Sequence, residues 1–187
     1  MQSNETIRVW DIFIRFFHWS LVLTFLIAYL TEDDFMTLHT VAGYSIIALI
    51  CLRLVWGFIG TEHARFKNFV YPLSVVKKFI TNTLSANAKR YLGHNPAGGL
   101  MILTMLVSLF LTSITGVIVE GMENSGPFAE QLHNSGEMLE DVFEEIHEFF
   151  ANFSLLLIFI HIAGVIVESI IHKENLIKSM VTGLKRK

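Results

Sequence analysis

Four long apolar stretches divide the chain, at roughly 12–30, 36–59, 96–119 and 147–171. Each holds about 20 residues or more, the length of helix that crosses a hydrocarbon layer of ~30 Å. The third carries no charged residue. The first is interrupted by Arg15 and His18, the second by His39 and Arg53, and the fourth by His161 and Glu168. A helix is the only open segment whose backbone satisfies itself in lipid. The pattern predicts an all-α fold, an integral membrane four-helix bundle, with residues 1–187 as a single domain. The apolar run after Asp11 is too long for the core of a secretory signal, and no small-x-small cleavage pattern follows it. It is expected to remain as the first span.

The connections between the spans differ sharply in charge. A short loop, 31–35, joins the first pair, and an acidic loop of about 120–145 joins the second pair. The middle loop, 60–95, lies on the same side as both termini. All 14 lysines and arginines fall on that side or near it, from Arg8 to Lys187. The opposite side has none, and carries Glu32, Asp33, Asp34, Glu120, Glu123, Glu130, Glu137, Glu140, Asp141, Glu144, Glu145 and Glu148. By the positive-inside rule both termini are cytoplasmic and the acidic loops face outward. Within the middle loop, 72–84 (PLSVVKKFITNTL) mixes apolar with basic positions after a helix-compatible proline. It predicts an interfacial helix on the anionic inner leaflet.

Composition agrees with the pattern. The chain is 52% hydrophobic and only 17% charged, where a soluble protein carries about 25% charged residues. The single cysteine, Cys51, excludes an internal disulfide, and its apolar run predicts a small buried residue. There is no CxxCH motif, so no covalently attached haem is expected.

Ionisable residues inside a span are functional candidates. Four histidines qualify: His18, His39, His147 and His161. Taken singly, each could be a neutral hydrogen-bonding partner in helix packing. Taken together they form a pattern. His147 and His161 are separated by nearly four whole turns, so they share a face about 21 Å apart along the axis. His18 lies deep from the outer face and His39 close to it. His18 is therefore level with His161, and His39 with His147. Two opposed imidazoles at each of two depths suit two stacked, non-covalently bound b-type haems. Gly43 and Gly164 leave room beside the ligand faces, although small residues also favour close helix packing. Arg53 and Arg15 are placed to pair with haem propionates, or else snorkel to lipid headgroups. His94, in GHNPAGG before the third span, is a candidate for a propionate or a quinone headgroup, while Asn95 and Pro96 read as a helix start. The loop histidines His63 and His133 are expected in solvent, and His172 at the inner interface. The third span has no histidine and is assigned to packing. A di-iron carboxylate site lacks its second Glu-x-x-His motif. A zinc site needs its ligands at one depth.

The segments VWDIFIRFFHW at 9–19, LHTVAG at 38–43, YLGHNPAGG at 91–99, the His147–His161 spacing and the tail IHKENLIKSMVTG at 171–183 resemble the bacterial cytochrome b561 family. They are also similar to the related cytochrome b subunit of nickel-iron hydrogenases. The resemblance covers nearly the whole chain. It implies a four-helix, di-haem electron carrier linked to quinone, with His18, His39, His147 and His161 as axial ligands to iron. Its implied setting is the bacterial inner membrane, with lipid around it. Its partners are quinone or quinol and a periplasmic redox protein, either a c-type cytochrome or a hydrogenase. No nucleic-acid partner is expected. Two bis-histidine haems leave no open iron position for substrate chemistry. Two rival readings remain at this level. One is superoxide:quinone oxidoreductase activity, against which stands the lack of outward lysine and arginine. The other is a haem-free proton relay or transporter, which ordinarily has broken helices.

Overall fold

A computed structural model describes residues 5–32, 34–85 and 87–187. Asp33, one of the acids counted on the outward side, lies outside them. In chain order the elements are β1 (Thr6–Arg8), α1 (Ile12–Leu30), α2 (Met36–Ile59), a 3-10 turn (Phe66–Asn68), α3 (Leu73–Leu84), α4 (Pro96–Met122), α5 (Ala129–Leu132), α6 (Glu137–Ile171), α7 (Leu176–Thr182) and β2 (Leu184–Arg186). The protein is mostly helical, and α1, α2, α4 and α6 are long and apolar enough to cross a membrane. At most 28% of the most apolar stretch of any of them is buried within the protein. Phe16, Leu23, Phe58, Phe159 and Ile170 are among the residues left exposed. An apolar surface of that extent needs lipid to cover it. The chain is a multi-pass membrane protein. Cys51, expected in the interior, is exposed on α2, because the apolar run around it meets lipid as well as protein.

Two long helices extend past their hydropathic limits. α4 continues to Met122, and α6 begins at Glu137, ten residues before His147. Hydropathy marks where the chain enters lipid, which is not where a helix must end. Residues 137–146 (EMLEDVFEEI) are good helix formers, and Glu137 and Glu140 in the first turn suit the positive end of the helix dipole. The acidic segment is thus largely helix rather than loop.

The chain folds as two compact units. The first comprises Met1–Ser20, Cys51–Thr104 and Ile158–Lys187. Here β1 pairs antiparallel with β2, Ile7 opposite Lys185. A small core of Val9, Trp10, Ile14 and Ala64 takes in Phe13, Trp56, Leu92 and Met180. Asp11 caps α1 by accepting the Ile14 amide at 2.8 Å, and also accepts from Thr61 at 2.6 Å and Trp56 Nε1 at 3.1 Å. Asn95 caps α4 through the Gly98 amide, at 2.7 Å, as its position before Pro96 predicts. Gly183 ends α7 at φ 82°, and a Cβ there would lie 2.5 Å from the Trp10 carbonyl oxygen. Glu174 pairs with Arg90 at 3.0 Å and with Lys185 at 3.7 Å.

The second unit comprises Leu21–Ile50 and Met105–Leu157. Its buried residues include Phe25, Ala42, Ile46, Leu106, Leu109 and Leu157. Several of its polar groups are paired with one another. Ser108 and Ser154 hydroxyls meet at 2.7 Å, Tyr44 donates to Glu120 at 2.6 Å, and Tyr29 donates to Asn152 at 3.0 Å.

Candidate functional site

The second unit brings His39 of α2 opposite His147 of α6, with ring centroids 6.0 Å apart. Each ring is held from behind. His39 Nδ1 donates to the Ala28 carbonyl at 2.9 Å, and His147 Nδ1 to the Thr112 carbonyl at 2.8 Å. A donating Nδ1 fixes the neutral tautomer whose Nε2 carries the lone pair, the form that binds a metal. The Thr115 hydroxyl lies 3.3 Å from the same His147 nitrogen. Gly116 provides the space: a Cβ there would come within 2.8 Å of His147 Cε1. Thus α4, expected to serve only packing, positions one of the four histidines. A glycine inside an apolar helix is the signal of close approach that could have pointed to it.

The first unit brings His18 of α1 opposite His161 of α6, with ring centroids 6.4 Å apart. His18 Nδ1 is buried with no hydrogen-bond partner among the described residues. Both separations can be compared with a simple construction. A metal–nitrogen distance of about 2.0 Å, plus about 1.2 Å from nitrogen to ring centre, puts two opposed ligands ~6.4 Å apart. Each separation is of the size that two imidazoles facing one metal atom would have. Among the described residues, no group of three or more His, Cys, Asp or Glu is arranged to hold a metal ion. Two nitrogen donors per site suit a metal that brings its own equatorial ligands, as haem iron does. Among the described residues, a Cβ at Gly43 or at Gly164 would meet no atom within 4 Å, so there is open space at both glycines.

The other candidates all lie in the first unit. Arg15 donates through Nη1 to the Val181 carbonyl at 2.7 Å, and Arg53, which is buried, through Nη2 to the Ala64 carbonyl at 3.0 Å. The Arg53 guanidinium also lies over the Phe66 ring, 4.8 Å from its centroid. Among the described residues, Arg15 Nε and Arg53 Nη1 remain buried donors without an acceptor, which is the condition an anionic group such as a propionate relieves. His94 packs tilted against Trp10 and Phe69, with centroids 4.5 and 4.8 Å away, and its Nδ1 is likewise unpartnered among the described residues. Burial, reinforced by the charges of Arg53 and Lys185, holds its imidazole well below the ordinary histidine range.

His94 also lines a cavity of about 230 Å³, together with Glu62, His63, Asn68, Tyr71 and Tyr91. His63, expected in solvent, is half-buried on this wall. Gly93 admits it, since a Cβ there would stand 3.0 Å from His63 Nδ1. Loop composition gave no sign of this, because the contact joins residues thirty positions apart.

On the acidic side of the second unit, carboxylates crowd one another. Burial, with Glu140, Glu144 and Glu120 nearby, pushes the Glu123 carboxyl up.

Comparison with known proteins gives the family. Residues 9–183 match the family profile described as prokaryotic cytochrome b561. Among curated relatives, a probable Ni/Fe-hydrogenase B-type cytochrome subunit from Azotobacter vinelandii is 26% identical over 161 residues, covering 78% of this chain and 65% of the relative. Proteins of the same description from Azotobacter chroococcum mcd 1 and Rhizobium leguminosarum bv. viciae are 27% and 26% identical. The chain spans just under two thirds of the length of these relatives. No solved structure matches it. A profile match over nearly the full chain, on a protein with four spanning helices, makes this a membrane cytochrome b of the prokaryotic cytochrome b561 family.

Proposed function

We propose that the protein holds two b-type haems, one between His39 and His147 and one between His18 and His161, and passes electrons between quinone and a redox partner outside the cytoplasmic membrane. One observation carries this reading: two imidazole pairs, each with centroids 6.0–6.4 Å apart and, among the described residues, neither joined by a third His, Cys, Asp or Glu donor. When bound, haem supplies a reversible one-electron couple at iron. The residues supply the rest. The Ala28 and Thr112 carbonyls orient and enrich the outer pair of ligands. Arg15 and Arg53 offer buried guanidinium donors to propionates of the inner group.

The cavity beside His94 is where a quinone headgroup would bind in this scheme. Phe69, Tyr71 and Tyr91 give it aromatic walls, and His63, Tyr71 and Tyr91 give it hydrogen-bonding groups. His63 and Glu62 are groups able to take up protons as a quinol is oxidised. The orientation follows from charge: both termini and the loop 60–95 on the cytoplasmic side of a bacterial inner membrane, with the acidic segments outside. The carboxylates around Glu123 then face the partner and favour a positively charged docking surface. The hydrogenase-subunit names of the relatives favour a hydrogenase as one specific partner, beside a c-type cytochrome.

Haem analysis of the purified protein tests the core of the proposal. Two haems per chain are expected, both six-coordinate and low-spin. His18→Ala or His161→Ala should remove one spectral component, and His39→Ala or His147→Ala the other. One haem or none per chain would overturn it, as would a spectrum indifferent to all four substitutions. His63→Ala is expected to raise KM for quinol with haem content intact.

A further inference from the structure

Electron transfer leaves α3 without a task. This helix buries Val76 and Phe79 against the protein, with Phe79 edge-on to Tyr91 at 5.7 Å between centroids. Another side is uncovered. Leu73, Ile80 and Leu84 are 72%, 45% and 84% exposed. At 3.6 residues per turn these three fall within about 20° of one line along the helix. Lys77 borders that line, and Lys78 with Ser74 and Thr81 forms the neighbouring polar arc.

The surroundings decide what can cover the stripe. The segment 60–95 begins at the end of one span, Ile59, and ends at the start of another, Pro96, so α3 is tethered close to the membrane at both ends. Across that segment stand Arg65, Lys67, Lys77, Lys78, Lys89 and Arg90 against one carboxylate, Glu62. α3 itself has no acidic residue. A three-residue apolar line is narrow for a protein interface, which ordinarily engages some 20–30 residues a side. It matches the shallow burial of an amphipathic helix in a headgroup layer, with lysines reaching phosphates.

We infer that α3 is a docking surface for anionic phospholipid: Leu73, Ile80 and Leu84 enter the boundary between headgroups and acyl chains, and Lys77 and Lys78 bind lipid phosphates. The proposal is independent of haem and quinone. The full-length protein, reconstituted into nanodiscs of phosphatidylcholine alone or mixed with phosphatidylglycerol, tests it by hydrogen exchange of the amides in 73–84. Each lysine near an anionic surface is worth roughly a fivefold preference. Exchange across α3 is therefore expected to slow about fivefold or more in the mixed discs. Lys77→Gln combined with Lys78→Gln should erase most of that difference while leaving haem content unchanged. Equal exchange in the two disc types would overturn the proposal, and this comparison stands on the unsubstituted protein even if the double variant folds poorly. Protection produced equally by free inorganic phosphate in detergent would also overturn it. So would protection that rises with protein concentration without lipid, which would point to a second copy.

Discussion

Replacing Gly116 by alanine tests how α4 controls a histidine on another helix. The added Cβ would stand 2.8 Å from His147 Cε1 and 3.1 Å from its Nδ1. Carbon contacts become comfortable near ~3.5 Å, so the ring must retreat by about 0.7 Å. A retreat of that size away from α4 lengthens the bond to the Thr112 carbonyl from 2.8 Å to about 3.5 Å, outside hydrogen-bond range. Two costs follow. Crowding a packed position costs ~1–3 kcal/mol, and the lost hydrogen bond costs ~1 kcal/mol. Felt wholly at the His39–His147 site, ~2–4 kcal/mol is roughly 30- to 1000-fold in affinity for the group held there. The assay is haem per chain in purified protein, with a potentiometric titration of what remains. On the two-haem reading, Gly116→Ala should move the count from two toward one, sparing the component that His18→Ala removes. Val107→Ala on the same helix, at a position 59% exposed, should leave the count alone. Two haems with both potentials unchanged in Gly116→Ala would refute the reasoning.

Three further outcomes follow from the first unit. Burial pushes the Asp11 carboxyl up, but hydrogen bonds from Thr61, the Ile14 amide and Trp56 outweigh it and hold it below the usual range. Its stabilisation is therefore full above the unfolded value of about 3.9 and fades as pH falls through the depressed native value. Asp11→Asn should lower thermal stability at neutral pH by ~1–2 kcal/mol and flatten that acid limb in a melting series. Gly183→Ala combines a left-handed backbone with a Cβ 2.5 Å from the Trp10 carbonyl oxygen. A loss of ~2–3 kcal/mol and faster proteolysis after α7 are expected. Glu174→Gln takes the carboxylate from Lys185, which is only 6% exposed and keeps its bond to the Tyr91 carbonyl at 3.1 Å. A loss of about 3 kcal/mol, as for breaking a buried ion pair, should appear as a lower melting temperature that Lys185→Met on the same background partly restores.

What could be read from the sequence depends on whether the information lies along one helix or between helices. The spans are legible because a bilayer imposes a length and a polarity on each segment separately. The facing of His147 and His161 is legible because 14 residues is a near-integral number of turns. Their meetings with His39 and His18 follow once loop lengths fix the depths of α1 and α2, and the structure brings together the same two pairs. Helix ends are less legible. The run 137–146 is too polar for lipid, yet nothing in it opposes helix, so α6 passes through the hydropathic boundary. Contacts across helices are the hardest to read. Whether Thr112 or a neighbour offers its carbonyl to His147 depends on the rotation of α4 about its axis, and hydropathy does not encode that rotation. Gly116 was the available clue. The strand pair 6–8 with 184–186 has three residues on each side and joins the two ends of the chain, a separation at which no local pattern operates. His63 belongs to the same class: only the close approach of Gly93 turns it from a loop residue into part of a cavity wall. The histidines that define the two pairs were therefore accessible from one-dimensional spacing, whereas the groups that orient them are properties of packing. Substitutions at Gly116, Gly183 and Gly93 consequently probe the fold's contribution to the site more directly than substitutions of the histidines themselves.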